Sequence, residues 1–422
     1  MLLGLFCFFF LLILRKIPSN YQSTKNFLNS DIDIHLKKTP SMKYCKKCLY
    51  PDTKPQLTFD KNGICSACLN NELKNQVDWD KKKSEFTTIL EKFKNKNGTN
   101  YDCIIPVSGG KDSTFQTYTI KEDFGLNPLV INFHPHDQTE IGRKNLENLK
   151  QLGVDCIEFS ANPDVYFKLA KFGLVELGDF QWPEHIGIFT VPVKIAVKFN
   201  IPLIIWGENP QLEYGQPTNI DVDTILDREW NEKNGGYFLD KIKPSDMIKY
   251  GFKKEELLPY IYPSDDEIKQ VGVTGIFLGS YIKWDIFKQL EIVKKLGFSE
   301  NDELKEGTYD RWENLDVFFT VFHDYFKFLK FGFGRATDHA SIEIRYDRIT
   351  REEGIELVKN HEGKIPKKYL EKFLEYAKIN ENEFHDICDK FTNKEIFEIN
   401  SDGSIKKDNE NNPILKNPIG MI

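Results

Sequence analysis

The feature that most constrains the fold is a glycine-rich turn at residues 108–114, which lies between an apolar run and a helical stretch. Residues 103–107 predict a buried strand, and residues 113–121 predict the helix that follows it. At such a junction, unpaired backbone N–H groups and the positive end of the helix bind phosphate oxygens. Gly109 and Gly110 let the backbone curl closely around an anion, because no Cβ is in the way. The turn therefore predicts a phosphate-binding site.

Five other side chains in the turn suit a bound nucleotide. Ser108, Ser113 and Thr114 have hydroxyl groups that can donate to phosphate oxygens. Lys111 adds a positive charge, and Asp112 supplies a carboxylate that can bind the Mg²⁺ accompanying a nucleotide. The alternative is a glycine-rich turn that binds no ligand.

The turn is not a Walker A loop, which needs a glycine five residues before its Gly-Lys pair; Ile105 occupies that position here. The string SGGKDST instead resembles the SGGxDS signature of the PP-loop ATP pyrophosphatases and matches each of its fixed positions. This resemblance implies cleavage of ATP between its α and β phosphates, with pyrophosphate bound in the turn.

Apolar runs and helical stretches alternate along the middle of the chain. After the first strand, the sequence predicts further strands at 129–133, 156–159, 203–206 and 275–278, with helices at 139–152 and 192–199. This alternation implies right-handed crossovers and a parallel sheet with helices on both faces, which is an α/β fold. The PP-loop resemblance implies the adenine nucleotide alpha hydrolase-like form of that fold.

Four of the eight cysteines form two CxxC pairs, Cys45 with Cys48 and Cys65 with Cys68. Sixteen residues separate the pairs, which is typical of a tetrahedral zinc site with four cysteine ligands. Four thiolates leave no open position on the metal, so we expect a structural Zn²⁺. The alternative is redox chemistry of the thioredoxin kind.

These patterns divide the chain into four segments. We expect an apolar leader or upstream extension at 1–41, a zinc-ribbon module at 42–75, an ATP-binding catalytic domain at 76–345 and a helical C-terminal region at 346–422. Residues 207–274 are too long for a loop and predict a partly helical insertion. Thr350 with Glu353, and Asn380 with Glu383, predict capping boxes at the starts of two C-terminal helices.

Two groups of polar residues are weaker candidates for ligand contacts. His134, Glu208 and Asn209 follow predicted strands, at the sheet edge where open α/β folds bind ligands. The second group lies between apolar helices and suits a carboxylated or phosphorylated substrate; its members are Arg335, Asp338, His339 and Arg345. The alternatives are a polar loop for His134 and surface ion pairs for the second group.

The composition favours a small-molecule substrate. Lys and Arg number 57 against 64 Asp and Glu, a net charge of −7, whereas proteins that bind a nucleic-acid backbone are usually basic. We therefore expect no nucleic-acid partner. The low cysteine content favours a reducing compartment, the cytoplasm.

The leader begins with about 14 apolar residues, too few to span a bilayer comfortably as a helix. It has no basic residue before the apolar run and no clear cleavage site after it, so it is a poor signal peptide. One interpretation is a membrane-touching anchor. The other, which we favour, is an upstream extension preceding a true start at Met42. We expect no stable membrane insertion, with membrane association only if the leader is translated.

From Met42 to at least Val358 the chain resembles the N-acetyl sugar amidotransferases. The resemblance rests on five strings: MKYCKKCLYPDTKP (42–55), GICSAC (63–68), PVSGGKDST (106–114), WGENP (206–210) and GRATDHASIEIRYDRITREEG (334–354). The family makes acetamidino sugars for bacterial surface glycans, including lipopolysaccharide O-antigen and the pseudaminic or legionaminic acid type of flagellin decoration.

The resemblance implies an AMP-forming reaction on an N-acetyl sugar or its nucleotide-linked form. ATP and Mg²⁺ are the expected cofactors, with Lys111, Asp112 and Ser113 at the centre of the chemistry. The sequence contains no recognisable glutaminase module. The resemblance therefore also implies that ammonia comes from separate glutaminase and cyclase-like subunits.

Two rival functions remain open from the sequence. A tRNA-modifying PP-loop enzyme, for thiolation or lysidine-type ligation, shares the turn and the adenylation step, but the acidic composition is unfavourable to it. A zinc-ribbon binding protein with an inactive nucleotide site is the second rival, and the intact turn is unfavourable to that.

Overall fold

A computed structural model describes residues 42–216, 225–230 and 242–420. The apolar leader lies outside the described residues. The central element is a parallel sheet of five strands in the order β3-β2-β1-β4-β5. Its strands are β1 Cys103–Pro106, β2 Pro128–Phe133, β3 Asp155–Phe159, β4 Leu203–Trp206 and β5 Thr274–Phe277. All five predicted strands and their parallel pairing are confirmed.

Helices cover both faces of this sheet, as a buried parallel sheet requires. The helices up to β4 are α1 Ser66–Lys74, α2 Trp79–Phe93, α3 Lys111–Tyr118, α4 Glu140–Lys150, α5 Pro163–Phe172 and α6 Trp182–Phe199. Alternate residues of β1 enter separate hydrophobic clusters: Ile104 packs on one face, and Cys103 and Ile105 on the other. Helices therefore bury the strands from both sides.

The predicted start of a helix at residue 192 is wrong. Helix α6 begins at Trp182, with Pro183 in its first turn, and Pro192 lies inside it. A proline inside a helix removes one backbone hydrogen bond, but most of the residues around Pro192 are buried. Tertiary packing here outweighs the local preference of proline for a helix start.

The segment between β4 and β5 is partly helical, as expected. It contains α7 Pro210–Tyr214, two 3₁₀ turns at Pro244–Tyr250 and Leu258–Tyr260, and α8 Asp265–Val271. Part of the predicted insertion, residues 217–224 and 231–241, lies outside the described residues.

The chain after β5 is mainly helical up to Phe391. Its helices are α9 Ile286–Lys295, α10 Thr320–Phe331, α11 Arg335–Arg345, α12 Arg351–His361, α13 Leu370–Ala377 and α14 Glu381–Phe391. Both predicted capping boxes are present, at the starts of α12 and α14. The last part of the chain forms short antiparallel bridges, such as Phe397 with Leu415.

The cysteine segment packs against the C-terminal helices. Cys45, Leu49 and Tyr50 share a hydrophobic cluster with Ala340 of α11 and Ile355 of α12. The described residues accordingly form one compact unit. No helix within the described ranges combines the length and apolar character needed to cross a bilayer.

Candidate functional site

The turn at 108–114 follows β1 directly and ends in the first residues of α3. Gly109 adopts a positive φ of 89°, and a Cβ there would lie 2.6 Å from the backbone nitrogen of Leu146. Ser108 Oγ accepts from Gly110 N at 3.2 Å, and Ser113 Oγ accepts from Gly109 N at the same distance. The turn is therefore closely wrapped, and two side-chain hydroxyls hold its backbone.

Lys111 is the buried positive charge of the turn. Its Nζ lies 2.6 Å from Asp112 Oδ2 and 2.9 Å from Glu313 Oε1, and 5.1 Å from the ring centre of Trp312. Burial alone would lower the pKa of Lys111, but the two carboxylates outweigh it and raise the pKa. Lys111 is therefore a permanent cation at the N-terminus of a helix.

A group of carboxylates surrounds this lysine. Burial raises the pKa of Asp112, and Asp112 Oδ1 is buried with no hydrogen-bond partner in the described part of the chain. Burial and the neighbouring charge of Asp112 raise the pKa of Glu208 to about 7. An unpartnered buried carboxylate oxygen near other acidic groups is a suitable ligand for a hard cation such as Mg²⁺.

Lys111, Asp112 and Glu313 border a cavity of about 190 Å³. One wall is the turn itself, from Ser108 to Asp112, and the opposite wall is the loop 312–316. Gly142 of α4 allows this approach, because a Cβ there would lie 2.5 Å from Asp316 Cα. The cavity is therefore built from segments about 200 residues apart in sequence.

The loop 312–316 is the part of this site that sequence reasoning missed. Trp312 and Glu313 contact Lys111, and Asn314 lines the cavity. The available signal was a tryptophan beside a carboxylate in a loop between helices, within the string DRWEN. That signal does not indicate which distant turn the loop approaches.

Two of the predicted residues in α11 reach the cavity through intermediates. Arg335 makes a two-pronged ion pair with Asp324, at 3.1 and 3.2 Å, and Asp324 also accepts from Asn314. His339 stacks on Trp312 with ring centres 5.8 Å apart, and its Nδ1 lies 2.5 Å from Asp310 Oδ2. Arg335, through Asp324, and His339 therefore contact the loop 312–316, which forms the cavity wall facing Lys111.

Two other predicted residues of α11 lie in different surroundings. Asp338 pairs with Lys327 at 2.5 Å and is buried. Arg345 donates from Nη2 to the Glu213 carbonyl at 2.9 Å, and its guanidinium lies 5.3 Å from the Tyr50 ring centre. Arg345 is thus buried next to the cysteine segment, and its Nη1 has no hydrogen-bond partner among the described residues, so its contact with a substrate stays a prediction.

Of the remaining predicted contacts, His134 and Asn209 lie near the carboxyl ends of β2 and β4, and Thr114 lies in α3. His134 follows β2 and lies 4.0 Å from Glu158. Asn209 caps α7 by accepting from Gln211 N, and it donates to Ser280 Oγ at 3.0 Å. Thr114 is buried, and its Oγ1 has no partner among the described residues. Whether these residues contact a nucleotide or a sugar stays a prediction.

The four paired cysteines form a single buried cluster. Cys45 Sγ lies 3.9 Å from Cys68 Sγ, and Cys48 Sγ lies 3.5 Å from Cys65 Sγ. All four sulfur atoms lie within 4.8 Å of one another. Thiolates bound tetrahedrally to zinc at about 2.3 Å would be roughly 3.8 Å apart. The arrangement is therefore compatible with a zinc site made of four thiolates.

The chain matches one described family over its C-terminal part. Residues 306–408 match the family described as LPS biosynthesis protein WbpG-like, C-terminal domain. This range includes Glu313, Arg335 and His339, so the matched domain supplies the wall of the cavity that faces the turn.

One curated relative and two solved structures are similar to parts of the chain. The uncharacterized protein MJ1599 of Methanocaldococcus jannaschii is 35% identical over 105 residues, which is 25% of this chain and 36% of the relative. The chain thus spans about a third of that relative's length. An NMN synthetase from Francisella tularensis superposes at a TM-score of 0.31 and 14% identity, over 64% of this chain and 94% of that one. An NH3-dependent NAD synthetase from Campylobacter jejuni superposes at 0.27 and 13%, over 54% and 100%.

Proposed function

We propose that this chain, whose residues 306–408 match the family described as LPS biosynthesis protein WbpG-like, C-terminal domain, is a PP-loop amidotransferase. In the proposed reaction, ATP activates the N-acetyl group of a surface-glycan sugar and ammonia converts it to an acetamidino group. AMP and pyrophosphate are released. The main supporting observation is the buried Lys111 at the start of α3, beside a glycine turn that leaves β1.

The turn supplies the groups that a departing pyrophosphate needs. Lys111 and the first amides of α3 would bind its oxygens, because both present positive charge at one point. Asp112, with Glu208 nearby, would hold Mg²⁺, which neutralises phosphate charge as the bond between the α and β phosphates breaks. Without a cation, the carboxylates around Lys111 would repel a nucleotide, so the site requires one.

The need for ATP follows from the chemistry of the acceptor. An acetamido carbonyl is a weak electrophile with no adequate leaving group. Transfer of AMP to its oxygen forms an activated imidate, and ammonia then forms the new C–N bond. The C–O bond breaks, and the oxygen departs with AMP. Each tenfold gain in rate corresponds to about 1.4 kcal/mol of barrier. Charges held in place at the turn stabilise the charge that develops on the pyrophosphate, and this should lower the barrier by several kcal/mol.

Two further assignments are part of the same proposal. The four-cysteine cluster would bind a structural Zn²⁺, which would fix a segment that has little hydrophobic core of its own. Ammonia would arrive from separate glutaminase and cyclase-like subunits, since the family resemblance implies them.

The direct test is product analysis. The full chain is incubated with ATP, Mg²⁺, ammonium and a panel of UDP- and CMP-linked N-acetyl sugars. We expect AMP together with a sugar product about one mass unit lighter, because NH replaces O. Substituting ¹⁵N-ammonium should raise that product by about one unit. AMP formation only with tRNA would contradict the proposal and support the tRNA-modifying alternative.

A further inference from the structure

Two histidines and an aspartate meet in a cluster that the proposed reaction does not use. Asp179 precedes α6, His185 lies in the first turns of α6, and His323 lies in the first turn of α10. One ligand atom from each of the three side chains lies within 4.8 Å of the other two. Three separate positions in the sequence therefore contribute nitrogen or oxygen donors to one point.

The positions of the two imidazole rings fit a shared metal ion. Their centres are 4.9 Å apart, and the ring planes meet at 80°. Two imidazoles bound tetrahedrally to one ion at 2.0–2.1 Å would have centres about 5 Å apart. The rings thus already have the spacing of two ligands on one metal.

The aspartate completes this donor set. Asp179 is buried, and its Oδ1 lies 3.0 Å from His323 Nδ1 and accepts from Gln181 N at 3.0 Å. Adjacent ligands on a tetrahedral ion of this kind are about 3.3 Å apart, so the separation fits a bound metal as well as a hydrogen bond. The backbone contact fixes the carboxylate in place, as outer contacts do in metal sites.

Charges of both signs lie around the cluster. Asp324, next to His323 in sequence, adds a negative charge near it. Arg335 is the nearby guanidinium, and its two-pronged pair with Asp324 neutralises it. The ammonium of Lys330 is a second positive charge that attracts the Asp179 carboxylate. It donates a hydrogen bond to the Leu177 carbonyl.

We propose that Asp179, His185 and His323 bind a divalent transition metal, Zn²⁺ in the first instance. Two imidazole nitrogens and one carboxylate oxygen are the ligands that zinc and its neighbours prefer. Three protein ligands leave a fourth position open to water, unlike the closed four-cysteine cluster. The proposal does not depend on the proposed function, since neither Lys111 nor Asp112 takes part in it.

Metal content per chain tests this proposal. The full chain, dialysed free of loosely bound metal, should contain about two equivalents of zinc. His323→Ala and His185→Ala should each lose about one equivalent, while His385→Ala, a histidine outside the cluster, should lose none. The proposal would be overturned if the wild type contains one equivalent of zinc, if both cluster variants keep it, and if added micromolar Zn²⁺ does not increase it. Asp179 and His323 would then form only a hydrogen-bonded pair.

Cobalt substitution keeps the test decisive if a variant folds poorly. Co²⁺ at the four-cysteine cluster gives strong thiolate charge-transfer absorption, whereas Co²⁺ bound to nitrogen and oxygen gives only weak visible bands. Titration of the metal-free wild type should show the thiolate bands saturating at about one equivalent, with weak visible bands continuing to about two. Loss of the second phase in Asp179→Asn supports the site; a titration that ends with the thiolate bands contradicts it.

Discussion

At the scale of single residues, the two adjacent glycines of the turn are not equivalent. Gly109 has a positive φ and lies against the Leu146 backbone, whereas Gly110 has a φ of −68° and meets only Ser108 Oγ, at 3.2 Å. We expect Gly109→Ala to lower the free energy of unfolding by roughly 1–3 kcal/mol, because it strains the backbone and clashes with atoms that cannot rotate away.

Gly110→Ala is the matched control for this prediction. It should change the free energy of unfolding by less than about 1 kcal/mol, because its backbone conformation suits alanine. Thermal or urea unfolding of the two variants gives the comparison. Equal losses in both would show that the turn is not wrapped as described.

Glu362 makes stability depend on pH. Its carboxylate accepts from Thr337 N and Thr337 Oγ1, and burial raises its pKa to about 7. Because the folded pKa exceeds the unfolded value of about 4.3, the folded state prefers the protonated acid. The stabilisation is complete below the unfolded pKa and is lost as the pH rises through 7. We expect a loss of about 2 kcal/mol between pH 5 and pH 8.

Glu362→Gln should flatten this dependence, since an amide does not titrate in that range. Glu356→Gln, which changes an exposed glutamate of α12, the helix that ends just before Glu362, should leave the dependence as it is in the wild type. Urea midpoints measured from pH 5 to pH 8 provide the readout. A wild-type stability that rises over this interval would contradict the assignment.

The residues of the site differ in how far sequence could identify them. Ser108 to Thr114 are contiguous, so a local pattern indicates both their structure and their ligand. Glu313 and Trp312 reach Lys111 only through tertiary packing, and no local pattern identifies such a partner. Arg345 illustrates the same limit, because the sequence predicted a charge between apolar helices but not that this charge lies 5.3 Å from the Tyr50 ring centre.

At the scale of elements, a buried ion pair joins the cysteine segment to the rest of the unit. Lys74 at the end of α1 lies 2.5 Å from Glu213 of α7, and the two side chains are 2% and 9% exposed. Lys74→Ala would leave Glu213 buried without its cation. We expect a loss of about 3–5 kcal/mol in the free energy of unfolding.

Lys47→Ala supplies a control of the same type. Lys47 pairs with Glu72 of α1 at 2.8 Å, but the side chains are 39% and 51% exposed. Water and salt screen this pair, so its loss should cost less than about 1 kcal/mol. Chemical unfolding of both variants should separate them clearly, and similar costs would refute the buried anchor.

Helix boundaries show where local patterns stop being sufficient. The capping boxes at Thr350 and Asn380 are confirmed, because a capping box is defined by residues three apart. Pro192 misled the prediction of α6, because the burial of that helix is set by segments distant in sequence.

At the scale of the whole molecule, the sheet was predictable and the assembly around it was not. Apolar strand runs separated by helices imply parallel pairing, because a helix that crosses over between two strands lets both run in the same direction with a right-handed connection. The five strands form such a sheet. The approach of loop 312–316 to the turn depends on the combined packing of α4, α10 and α11, which no single window of sequence contains.

The most direct test of the account is the chemistry of ATP cleavage at the turn. With Mg²⁺, ammonium and the N-acetyl sugar panel, the wild type should release AMP and pyrophosphate. Lys111→Ala and Asp112→Asn should each lower that rate by roughly 100-fold or more, because each removes a charge that acts on the pyrophosphate. Lys121→Ala, beyond the end of α3, should retain the wild-type rate. Release of ADP and phosphate, or full activity in the two turn variants, would contradict the account.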